Sequence, residues 1–88
     1  MTEDKTWTAE IRLEETADRT DAYLTLRTGD AECLAEGHAR RNPQDPNVPR
    51  IGEELATARA FAELSRKLLE EAAAILEAQL GEEVHLDR

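Results

Sequence analysis

One cysteine, one methionine, three prolines and four glycines are spread over 88 residues, and the only large rings are Trp7, Tyr23 and Phe61. Each scarcity excludes something. The lone Cys33 cannot close an intramolecular disulfide. With aromatics at 3%, any core has to be aliphatic and rich in alanine. No run approaches the roughly 20 apolar residues that a membrane span requires, and the opening MTEDKTWTAE has no apolar signal core. A cytoplasmic protein with no membrane association is expected. Basic residues are outnumbered 11 to 20, a net charge of -9 that repels phosphate backbones and anionic surfaces at long range.

At this length a single domain over residues 1–88 is expected, because two separate cores would each be too small to stand alone. What is present has two distinct periods. From about residue 6 to 14 the chain alternates, with Trp7, Ala9, Ile11 and Leu13 on one side and Thr8, Glu10, Arg12 and Glu14 on the other. That period of two marks a half-buried strand. A polar loop follows. A second alternation over about 21–28 sets Ala22, Leu24 and Leu26 against Tyr23, Thr25 and Arg27. Gly29-Asp30 then supplies a tight turn, since glycine reaches positive φ without a Cβ clash. A third strand over about 31–41 places Ala31, Cys33, Ala35, Gly37 and Ala39 on one face, all small and uncharged, so a helix can come very close.

Residues 42–49 hold all three prolines, which bar both helix continuation and a central strand. Pro49 suits a helix start. From about 50 to 80 the spacing is helical, with a row through Ile51, Leu55, Ala58, Ala62, Leu69, Ala72 and Leu76 and a second through Phe61, Leu64, Leu68, Ile75 and Leu80. Gly81 fits a C-cap. The tail 81–88 is either frayed or a short strand through Val84 and Leu86. The expected fold is therefore α+β, a three-stranded antiparallel β-meander packed by one long C-terminal amphipathic helix.

A helix of about 30 residues is roughly 45 Å long and outruns strands of about 9 residues, roughly 30 Å. Either it breaks near Ser65 and folds back, or Leu68, Leu69, Ala72, Ile75, Leu76 and Leu80 overhang and pack against another copy. The second is preferred.

No spacing points to chemistry. His38 and His85 lie in different elements, and Cys33 sits on the inward face between alanines, where a thiol behaves as a small hydrophobe. No nucleophile elbow or phosphate-binding glycine pattern occurs, and adjacent glutamates on a helix diverge by about 100°, so they do not converge on one ion. No catalytic, metal or cofactor residue is assigned, and a non-enzymatic protein is expected. Six of the basic residues, Arg40, Arg41, Arg50, Arg59, Arg66 and Lys67, gather in the middle of the chain. They would form a phosphate-contacting stripe for RNA or an unknown protein partner, or else a solvated face paired with glutamates. The acidic balance favours the second.

The run from Gly37 through Asn42-Pro43-Gln44-Asp45-Pro46-Asn47-Val48-Pro49-Arg50-Ile51-Gly52-Glu53-Glu54-Leu55 to Ala60 resembles the small actinobacterial proteins of domain of unknown function 1876. The resemblance implies a β-β-β-α fold like the double-stranded-RNA-binding domain and, through the fold, a likeness to ribosome hibernation-promoting factors. It implies no catalytic residue. Two functions are thus expected: a homodimeric stress-associated or regulatory interaction protein, or a ribosome- or structured-RNA-associated factor.

Overall fold

The computed structural model describes residues 2–81. The C-terminal strand expected through Val84 and Leu86 lies outside the described residues. Three strands, β1 (Thr8–Glu15), β2 (Arg19–Thr28) and β3 (Ala31–Arg40), form an antiparallel sheet in the order β1-β2-β3, and one helix, α1 (Pro49–Leu80), follows. The strand bounds move from the expected ones by one or two residues, which leaves Trp7 just before β1.

Register aligns the apolar positions into rows. Ile11 lies opposite Leu24 and Leu24 opposite Ala35, while Leu13, Ala22 and Gly37 form the next row. Gly29 makes the β2–β3 turn at φ 71°. The reverse face is polar. There the Arg12 guanidinium sits 4.6 Å from the centre of the Tyr23 ring, and Asp21 accepts from Arg19 at 2.6 Å and bonds His38 Nδ1 at 2.7 Å.

The helix starts at Pro49 after Val48, which makes no side-chain cap bond. It ends where Gly81, at φ 75°, donates its N–H to the Glu77 carbonyl. Its 32 residues are unbroken, so the fold-back at Ser65 does not occur. The helix lies over β3 and β2.

Two expectations are corrected here. First, the buried helix row is Ala56, Ala60 and Leu64. The row through Ile51, Leu55, Ala58, Ala62 and Leu76 points the opposite way, since at 100° per residue it lies about half a turn round from Ala60. The reason is distance. Ala22, Ala35, Gly37 and Ala39 make a nearly flat floor, and only an alanine row lets the helix backbone descend onto it. Second, β1 is exposed along its whole length rather than half-buried, because the helix sits over the other two strands. Its apolar side faces the helix layer, with Ile11 and Leu13 each 40% exposed and Glu15, at the strand's end, hydrogen-bonded to Glu53 of the helix. Among the described residues Leu24, at 1% exposed, is the one large side chain in the fully buried core.

Candidate interaction surface

The two flanks of α1 differ sharply. Arg59 donates to the His38 carbonyl at 2.7 Å and Lys67 to the Leu34 carbonyl at 2.6 Å. Both acceptors belong to β3, the outer strand on that side, so these two cations cover part of its open edge. Arg66 lies on the same flank, paired with Glu63 at 2.8 Å and with Glu70, and Arg66 holds the Glu63 carboxyl below its usual range. The opposite flank, towards β1, presents Phe61, Leu68 and Ile75. Leu68 is partly spent against the core.

The expected arginine stripe does not stand free. Arg41 stitches the β1–β2 turn to the proline loop, donating to the carbonyls of Ala17 at 3.3 Å and Asp45 at 3.4 Å. Arg50 pairs with Glu54 at 2.8 Å. With Arg59, Arg66 and Lys67 engaged as above, Arg40 alone of the six has no side-chain partner among the described residues. Along the helix, Lys67 also pairs with Glu63 and Arg66 with Glu70, whereas Arg59 turns to β3.

His38 stands on the solvent face as expected, and Cys33 points inward, half-buried. The Asp21 carboxyl is held below its ordinary range by Arg19 first and His38 second. Burial, followed by the nearby carboxylates of Glu14, Asp21 and Glu36, pushes the Tyr23 hydroxyl up. Among the described residues, no group of three or more histidine, cysteine or acidic side chains is placed to share a metal ion, and no helix is long and apolar enough to cross a membrane.

A cleft of about 470 Å³ opens at the proline end, walled by Thr20, Arg41, Pro46, Val48, Ile51 and Leu55 among others. The strand residues Glu15, Thr20 and Ala39 face the first helical turns, Ile51, Gly52 and Leu55, across it. At its rim the Glu15 carboxyl is pushed up from its ordinary 4.5, chiefly by a hydrogen bond with Glu53, then by partial burial and the Glu53 charge. A raised carboxyl contributes stability below its unfolded pKa and loses it as pH climbs through the folded value. At neutral pH the pair therefore opposes folding. Glu53→Gln should raise the thermal midpoint at about pH 7 and leave it nearly unchanged at about pH 4. Melting curves at the two pH values check this.

What remains is apolar and uncovered. Trp7 is 56% exposed, and Ile11 and Leu13 are both 40% exposed on the β1 side. On the helix, Ile51, Leu55, Phe61, Ile75, Leu76 and Leu80 are all exposed. Of the expected dimer surface, Ile75, Leu76, Leu80 and Ala72 are free, while Leu68 and Leu69 are half-buried within the copy itself. Sequence reasoning missed Ile11 and Leu13 as surface. Period two reveals which side of a strand is apolar, but not whether anything lies on it.

A family model described as Rv2632c-like matches residues 5–85. The uncharacterized protein Mb1767 of Mycobacterium bovis (strain ATCC BAA-935 / AF2122/97) is 43% identical over 63 residues, covering 72% of this chain and 67% of that protein. The uncharacterized protein Rv2632c of Mycobacterium tuberculosis (strain ATCC 25618 / H37Rv) is 38% identical over 64 residues, covering 73% and 69%. The crystal structure of Rv2632c superposes with a TM-score of 0.81 at 33% identity, covering 89% of this chain and 93% of that one.

Proposed function

The chain belongs to the Rv2632c-like family, and we propose that it works as a non-enzymatic, homodimeric interaction protein with a stress-associated or regulatory role. One observation carries this reading: the helix keeps large apolar residues uncovered by its own sheet, with Phe61 at 43%, Ile75 at 59% and Leu80 at 56% exposed. A monomer gains nothing from a helix that is apolar on opposite sides. Such a helix is normally covered twice. The charged groups support the same reading, since most of the shifted ones are engaged with neighbours in surface ion pairs and do not converge on a site.

Sedimentation equilibrium at micromolar concentration tests it. Twice the 9.9 kDa chain mass is expected, and a single-chain mass across that range removes the reading.

A second reading, the ribosome- or RNA-associated factor suggested by the likeness to domain of unknown function 1876 and to hibernation-promoting factors, draws on Arg40, the one cation of the stripe without a side-chain partner among the described residues. Co-sedimentation with ribosomes through a salt series separates the two. A phosphate-binding mode appears at low salt and is lost steeply as salt rises.

A further inference from the structure

We infer that the second copy lies inverted over the helix, so that α1 of each protomer roofs the uncovered β1 of the other and the two helices form one layer between two sheets. This rests on the dimeric reading above and goes beyond it by naming the contacts.

Three features of one copy converge on this arrangement. The first is a vacancy of defined shape. Helix α1 covers β2 and β3, so the apolar side of β1 forms a shelf one strand wide, ending against the Phe61 and Leu68 flank of the helix. Only a narrow, elongated apolar body fills such a shelf, and a helix is about 10 Å across.

The second feature is α1 itself, which is apolar on three sides. Ala56 and Ala60 meet its own sheet. About 100° round, Phe61, Leu68 and Ile75 face the shelf. About 180° round, Leu55, Ala58, Ala62 and Leu69 face away. The remaining side carries Arg59, Glu63, Arg66 and Glu70, engaged with β3 or with one another. A helix lying on its partner's shelf must be apolar below, above and on one flank, and charged only on the outer flank. Between Ala58 and Leu69 the charged residues of α1 keep to the β3 side, whereas nearer the helix start the Arg50–Glu54 pair stands on the Phe61 flank. A two-fold axis between the helices satisfies both copies at once, because the same patch is used on each.

The third feature is area. Trp7, Ile11 and Leu13 beside Leu55, Phe61 and Ile75 are each 40 to 59% exposed, and with the alanines between them they approach the roughly 800 Å² per partner of a standard stable interface.

Register places the contacts. Ile11 aligns with Leu24 and Ala35, and Gly37, two residues on from Ala35, touches Ala56 and Ala60. Ile11 therefore lies at the level of the middle of the buried helix segment. With the axis running along the helices, equal levels meet, and the Ile11 side chain of one copy meets Ala62 on the upper face of the other helix. The small residues Ala58 and Ala62 let β1 approach as closely as Gly37 lets its own helix approach.

Ala62→Glu tests the geometry. Glutamate is a good helix former and position 62 is exposed in one copy, so the fold is expected to survive. In the dimer two carboxylates would be buried without partners, and the dissociation constant should rise about 100-fold or more. Ile11→Asp, placed on the other half of the same contact, should act alike. Glu10→Arg, on the polar face of β1, should not weaken the dimer. If Ala62→Glu keeps a native circular-dichroism spectrum and a dimeric mass like the parent, the arrangement is wrong while the dimeric reading stands. Dissociation by Glu10→Arg with Ala62→Glu silent would also overturn it, pointing instead to edge-to-edge pairing of β1. A parent that sediments as a single chain would overturn both.

Discussion

Gly37→Ala is expected to cost about 3 kcal/mol or more, enough to leave the domain largely unfolded at moderate temperature. A Cβ built on Gly37 would fall inside contact distance of the Ala56 carbonyl oxygen and the Ala60 nitrogen, and 2.9 Å from the Arg59 carbonyl carbon. All three are main-chain atoms of one helix. None can rotate aside, so the helix must lift, and the Ala22, Ala35, Ala56 and Ala60 layer would open with it. Gly29→Ala provides the contrast. Gly29 has open space around it but sits at φ 71°, and the left-handed conformation costs a residue with a Cβ about 1–2 kcal/mol. Urea unfolding of both variants separates steric exclusion from backbone strain. A smaller loss at Gly37 than at Gly29 would mean that the close approach of helix to sheet is misjudged.

Leu24→Ala should be nearly as damaging, with a loss of about 2–5 kcal/mol. Leu24 is 1% exposed at the centre of a core otherwise built mainly of alanines. Alanine neighbours have few rotamers with which to fill the hole, so collapse around the deletion is limited and the upper half of that range applies. Small domains have total stabilities of only about 5–15 kcal/mol, so the midpoint should fall steeply with little change in the denaturant slope. Ile11→Ala removes a side chain of similar size, yet its effect on one isolated copy should be well under that of Leu24→Ala, since Ile11 is 40% exposed there.

Much of this architecture was legible in the sequence, and the exceptions share a cause. Alternation through Ile11, Leu24 and Ala35 identified the strands, Gly29 the turn, Pro49 the helix start and Gly81 its stop, because local backbone chemistry decides all of these. The buried helix row was not legible. Leu55 and Leu76 outrank Ala56 and Ala60 in hydrophobicity, but the sheet floor around Gly37 has room only for alanine, and that steric condition comes from a segment some twenty residues away. The exposure of β1 was hidden for a related reason, as it depends on where the helix comes to rest. The arginines misled in the other direction. Arg59 and Lys67 look free beside phosphate-sized spacing, yet they reach β3 carbonyls that only folding brings near.

Both groups of exceptions return to the same surface. The helix rests on Ala56, Ala60 and Leu64, leaving Leu76 and Leu80 uncovered and Ile11 and Leu13 of β1 exposed, and a second copy inverted over the first resolves both. Isotope-filtered nuclear Overhauser spectroscopy on a mixed dimer, one copy carbon-13 labelled and the other not, reads that contact directly. Intermolecular cross-peaks from the Ile11 and Leu13 methyls to Ala58, Ala62 or Leu69 are expected. A dimeric sample whose Ile11 methyls show intermolecular contact only with the other Ile11, or none at all, would contradict it.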